Sequence, residues 1–180
     1  MSSYQIDSAH ADVLFSAKHM MVTTVRGKFA DVSGTARIDE NDPTRSSAEV
    51  RIAAASISTG VGPRDTHLRS ADFLDAEQFP EIVIRTTAIE PKGGNRYAIT
   101  ADATVRGVTK PVVLDAELLG FYQGMDGAKR VGVAARTKIN RKAWGLDWNV
   151  ALETGGWLVG EDISFEIDLA FQETAVEAAA

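Results

Sequence analysis

The sequence predicts an all-β protein, a closed antiparallel barrel of about eight strands around a hollow interior, with one short helix near residues 65–73. Three observations predict it. Four stretches alternate apolar and polar residues with period two, the pattern of half-buried antiparallel strands. Ala48, Val50, Ile52 and Ala54 share one face; so do Tyr97, Ile99, Ala101, Ala103 and Val105. Val131, Val133, Ala135, Thr137 and Ile139 repeat the pattern, as do Ile163, Phe165, Ile167, Leu169 and Phe171. Strands of this length need closure or covered edges, because open edges aggregate. Finally, many of the apolar positions are Ala or Val, which leave space where Leu or Phe would fill it. A hollow lined by apolar groups suits an apolar guest.

Taken in order, Tyr4–Asp7 reads as a short strand and Val13–His19 as a second. The segment 19–24 breaks the alternation and reads as a helical turn. Val25–Ile38 is a long strand whose apolar parity changes at Phe29 and Ala30, so a β-bulge there keeps both halves inward. Asp39–Pro43 is a turn, and Ala48–Ile57 the next strand, ended by Gly60-Val61-Gly62-Pro63. Asp65 is placed to cap a short helix through Leu68 and Arg69 toward Phe73. Strands follow at Ile82–Ile89, Tyr97–Val105, Val112–Phe121 and Arg130–Ile139, joined by Gly-rich turns. Residues 140–158 are irregular and Trp-rich, and Val159–Phe171 closes the barrel. One domain over residues 1–172 is expected, followed by an Ala-rich tail over 173–180 that frays or forms loose helix.

Composition narrows the function. The chain has 180 residues and a formal net charge of −6, which argues against nucleic acid as a partner, since phosphate binding needs a basic face. With no cysteine, disulfides, thiolate metal sites and a Cys nucleophile are excluded. The first residues carry neither a basic region nor an apolar run, and no stretch approaches the ~20 apolar residues of a membrane span. The expectation is a cytoplasmic protein without an integral membrane segment, or a periplasmic or secreted one if the sequence is a mature chain.

Few residues offer chemistry. His19 closes the strand that carries Phe15 and Ala17. It suits a head-group contact at a pocket mouth, an acid/base role, or a hydrogen-bonded corner. His10, His19 and His67 match no metal-ligand spacing, and Asp39-Glu40-Asn41-Asp42 lacks the central Gly and distal Glu of a calcium loop. No metal or cofactor is expected. Arg64 and His67 suit a ligand contact; alternatively Asp65 caps the helix while Leu68, Phe73 and Phe79 plug one barrel end. Trp144, Trp148 and Trp157 either rim the pocket or pack the long loop. No nucleophile elbow is present.

Six segments, in order, resemble the YceI-like lipid-binding proteins. His19 with Val25-Arg26-Gly27-Lys28-Phe29 opens the series, then Arg64-Asp65-Thr66-His67-Leu68. Asp72-Phe73-Leu74-Asp75 with Phe79-Pro80-Glu81-Ile82 comes next, then Thr104 to Lys110, Asn140-Arg141 with Trp144-Gly145-Leu146, and Val159 to Ile163. The resemblance spans about Tyr4 to Phe171 and implies an extended, lipocalin-like barrel that binds a polyprenol or isoprenoid quinone, or another lipid, along its axis. Many members of that family are secreted to the periplasm and some are dimers, so a homodimer is an open expectation. Trp144 stands where the family commonly has a smaller aromatic. On matching motifs and inner faces, the expected ligand-binding residues are Phe15, His19, Phe29, Phe73, Phe79, Ile82, Ile84 and Trp144. Strand parity adds Ile99, Val133, Phe165 and Ile167.

The expected function is binding, sequestration or transport of a long isoprenoid lipid. The alternative is an isomerase or hydrolase of small apolar substrates with His19 as base. For that reading Glu161 is the carboxylate to inspect, since it shares parity with Ile163 and Phe165. A filled barrel that binds another protein is a third reading.

Overall fold

A computed structural model describes residues 1–174. Its strands are β1 (Ser2–His19), β2 (Thr23–Phe29), β3 (Val32–Ile38), β4 (Ser47–Ala53), β5 (Ile57–Ser58), β6 (Glu81–Pro91), β7 (Arg96–Val105), β8 (Val108–Gln123), β9 (Lys129–Asn140) and β10 (Val159–Glu173). One helix, α1 (Gly62–Arg69), lies between β5 and β6. Every neighbour is antiparallel, and β1 pairs with β10 from Tyr4↔Glu173 to His19↔Val159, so the sheet closes. β2 and β3 are halves of one bent strand, and β4 and β5 of another, which makes an eight-strand circumference.

Several expected elements differ at their joints. Tyr4–Asp7 and Val13–His19 belong to one strand. Its pairing with β10 jumps from Ile6↔Phe171 to Ala11↔Leu169, leaving Asp7 to His10 as a wide bulge. Asp7 accepts bonds from the Ala9 N–H (3.2 Å) and pairs with His10 Nδ1 (3.1 Å), which satisfies the bulged backbone locally. The parity change at Phe29 and Ala30 is a full break rather than a bulge. It leaves Phe29 and Val32 both buried, so both halves face inward as the pattern required. The strand expected to reach Ile57 stops at Ala53, because Ala54–Ser56 form a 3-10 turn whose first N–H donates to the Pro80 carbonyl (2.9 Å). The segment after His19 is a tight hairpin turn, not a helical one, and β8 starts at Val108, directly after a turn at Arg106-Gly107. Both turn residues have positive φ, 49° and 73°, the left-handed pair that matches the twist of a two-residue hairpin.

Asp65 does not cap α1. The helix begins at Gly62 with Pro63 in its first turn, and Asp65 sits inside it. Its carboxylate instead accepts the Thr59 N–H (2.8 Å) and hydroxyl (2.6 Å), tying the helix to the exit of β5. The helix ends at Arg69, whose guanidinium donates to the carbonyls of Ala55 and Ile57, so it does not reach Phe73.

Inward residues of the strands make the core, among them Tyr4, Val13, Phe29, Ile52, Val131 and Phe171. Of the expected tail, Glu173 still belongs to β10 and the Thr174 N–H donates to Ser3 (2.8 Å); residues 175–180 lie outside the described residues. Among the described residues no helix is long and apolar enough to cross a membrane.

Candidate ligand cavity

The barrel interior holds two chambers, of about 170 Å³ and about 180 Å³. Val13, Ile52, Ile84, Leu114 and Ile167 line both, so they form a common waist. A single water needs only about 10–15 Å³ of such volume, yet walls of hydrocarbon give a water nothing to bond. The chambers are therefore suited to apolar matter.

The first chamber lies toward the β3–β4, β6–β7 and β8–β9 turns. Ala36, Ala48, Ala101, Ala116 and Ala135 give it a wall of small side chains, completed by residues such as Ile99 and Val133. Short side chains on neighbouring inward positions keep this part of the lumen open. The second chamber lies toward α1 and is built from rings: Phe15, Phe29, Phe73, Trp144 and Phe165. Phe15 stands 5.6 Å from Phe29 and 6.4 Å from Phe165, both tilted, in the range where aromatic edges and faces attract. The indole N–H of buried Trp144 donates to the Ala103 carbonyl (2.9 Å), so its polar atom is spent on backbone and its ring faces the lumen.

The structure places ten of the twelve expected residues on these walls. Phe15, Phe29, Phe73, Ile82, Trp144 and Phe165 line the second chamber, Ile99 and Val133 the first, and Ile84 and Ile167 both. His19 and Phe79 do not line either. β1 leaves the wall at Phe15, and half-buried His19 lies past it, where its carbonyl accepts from the Val22 N–H and the Thr23 hydroxyl. Phe79 packs on Gly107 outside the lumen, so Phe73 and Leu74, not Phe79, form the plug. Arg64 donates to the Thr59 hydroxyl (2.7 Å) rather than into the cavity. His67 pairs with Asp72 (2.8 Å) and meets Phe73 and Trp148 edge-on. The three Trp thus separate: Trp144 in the wall, Trp148 packed on the plug, and Trp157 exposed.

The expected set leaves out Val13, Ile52 and Leu114 of the waist, and it leaves out Arg141, which shapes the second chamber. Arg141 is only 4% exposed and borders the second chamber. Its guanidinium donates to the carbonyls of Gly160 (2.9 Å) and Leu146 (2.5 Å), with a longer bond to Val159 (3.4 Å), and stacks 5.8 Å over Phe73. Burial pushes its pKa down, with Glu161 and Asp147 pulling the other way. Arg141 clamps the 145–160 loop onto the barrel end. The only cue in the sequence is the Asn140-Arg141 motif, and a charged residue is not read as buried from polarity alone.

The two groups named for the enzyme reading, His19 and Glu161, line neither chamber. Glu161 is ion-paired with Lys142 (2.8 Å), which holds its carboxyl below the usual range, and it is not on either wall. Among the described residues no three His, Asp or Glu side chains converge as a metal set would.

Fold and cavity together define a closed β-barrel of lipocalin-like shape with an apolar, two-chambered lumen. Residues 4–171 match the YceI-like domain, and the chain belongs to that family. A UPF0312 protein of Staphylococcus aureus is 34% identical over 172 residues, covering 95% of this chain and 98% of the relative. The solved YceI protein of Campylobacter jejuni is 28% identical with a TM-score of 0.75, covering 88% of this chain and 90% of that one. Burkholderia cenocepacia BcnA has the same fold at 22% identity, with a TM-score of 0.77 and coverage of 92% and 98%. So does a domain of Saccharophagus degradans described as polyisoprenoid-binding, at 14% identity, with a TM-score of 0.70 and coverage of 97% and 100%.

Proposed function

We propose that this protein binds one long apolar lipid of isoprenoid type, a polyprenol or isoprenoid quinone, and sequesters or carries it without chemical change. The observation that carries the reading is the pair of hydrocarbon-walled chambers joined at a shared waist. A flexible chain with a methyl branch every few carbons can fill both and bend at the waist. Its burial would supply about 25 cal/mol per Å² of apolar surface, or about 0.8 kcal/mol per methylene. The polyisoprenoid-binding description of the Saccharophagus degradans domain supports the same ligand class. The enzyme alternative loses its base, since His19 is not on the wall, and Glu161 is tied to Lys142 outside it.

Native mass spectrometry of protein purified from its own host, followed by organic extraction, tests the reading. One adduct of isoprenoid mass per barrel is expected. A bare protein that also refuses added polyprenol and quinone would contradict it.

A further inference from the structure

We propose that the barrel end formed by the β1–β2 turn and the loop before β10 docks on a neutral lipid surface. Five large apolar side chains stand in water there: Met20 (49% exposed), Met21 (64%), Val22 (80%), Val150 (45%) and Trp157 (50%). They form one patch. The Met20 N–H donates to the Leu158 carbonyl (2.8 Å), and Met21 lies over Gly156, where any Cβ would collide with its sulfur. Leu158 in turn donates to Val150 (2.9 Å), and Ala151 bridges Trp157, so the two tips are held side by side.

A second, independent observation is the backbone. Met20 and Met21 have φ of 50° and 64°, the left-handed region where a Cβ crowds the backbone and where Gly, Asn and Asp are favoured. Two bulky apolar residues thus occupy a strained turn and face solvent as well. Strain retained together with apolar exposure points to side chains kept for a contact.

What covers them follows from place and charge. His19 pairs with Val159, which lines the aromatic chamber, so the patch begins where the chamber wall ends. Lipid leaving a surface at this point passes from one hydrocarbon environment to another. Unbranched Met and amphipathic Trp suit the boundary between acyl chains and water. The chain carries a net charge of −6, and the one cation flanking the turn, Lys18, is bonded to the Thr24 hydroxyl, so attraction to anionic head groups is not the driving force. Docking by shallow apolar insertion is.

This inference rests on the lipid-binding reading, and its test separates the two. Purified protein is floated with phosphatidylcholine vesicles, and Trp fluorescence is quenched by lipids brominated on the acyl chains. The wild type floats, and flotation persists from about 0.1 M to about 0.5 M salt. The double variant Met21→Glu, Val22→Glu lowers the bound fraction at least about fivefold, and Trp157→Phe removes most of the quenching. Isoprenoid loaded from detergent still fills the barrel of each variant by native mass spectrometry. Wild type that stays in solution would overturn docking, as would equal flotation of the double variant. So would light scattering that shows a wild-type dimer broken by the substitutions, which would make the patch a contact between copies. Vesicle binding by a barrel that never takes up isoprenoid would uphold the docking surface and overturn the lipid-carrier reading.

Discussion

The two chambers reach nearly the same volume, about 170 Å³ and about 180 Å³, by opposite means. One is hollow because its strands place alanines inward. The other is hollow although five aromatic rings line it: Phe29 and Phe165 stand tilted against Phe15, and Trp144 is held by its bond to the Ala103 carbonyl. Small side chains make a smooth passage that any added bulk closes. Rings held by specific contacts make a shaped end, where removing one contact costs stability first and ligand second. A lumen can thus be kept open by side chains too small to fill it or by larger ones held apart.

Substitution in the alanine chamber gives the largest expected effect. Ala101 is 1% exposed and faces the passage, so Ala101→Phe fills it. Isoprenoid affinity falls about a hundredfold or more while the fold survives, at an overpacking cost of about 1–3 kcal/mol. Binding isotherms with thermal unfolding on the same sample check this. In the aromatic chamber the order reverses. Trp144→Ala removes a buried ring together with its bond to the Ala103 carbonyl, which lowers stability by about 4 kcal/mol. Ligand affinity changes less, as the chamber grows; denaturant titration with and without lipid separates the two.

Beneath that chamber, Arg141→Met leaves the carbonyls of Leu146 and Gly160 unpaired and costs about 2 kcal/mol. Arg141→Lys does not restore it, since one ammonium cannot reproduce the planar fork. Hydrogen exchange should then rise across residues 145–160 before the strands. The smallest effect is at Asp65. Hydrogen bonds from Thr59 hold its carboxyl below the ordinary range, though desolvation opposes them. A depressed folded pKa stabilises above the unfolded value of about 3.9 and is lost as pH falls below it. The melting temperature should therefore drop below about pH 4, and Asp65→Asn should flatten that drop.

What could be read from the sequence follows this division. Period-two alternation needs only neighbours along the chain, so the strands and the alanine wall were legible at Ala101, Val133 and Ala135. The change of parity at Phe29 and Ala30 also told where the chain bends. Contacts between distant segments leave no such trace. Phe73 and Phe79 look alike in sequence, yet Arg106 bonds the Phe73 carbonyl (3.0 Å) beside the lumen and Phe79 falls on Gly107 outside it. His19 kept the parity of Phe15 but lay beyond the wall, because parity fixes a face and not the height at which a cavity ends. Asp65 had the residue type of a cap, but the Gly62-Pro63 pair started the helix before it. Arg141 was hidden because its partners are backbone carbonyls, which no side-chain pattern records.

In the proposed binding mode, one chain threads the waist and fills both chambers. It is tested most directly by native mass spectrometry with isoprenoids of increasing length, on the wild type and on Ile84→Trp, whose indole would close the waist that Ile84 lines from both sides. The wild type should take one long chain per barrel, and Ile84→Trp should lose long chains while keeping those short enough for a single chamber. Two short chains bound at once in the wild type, with long chains held equally well by Ile84→Trp, would contradict it.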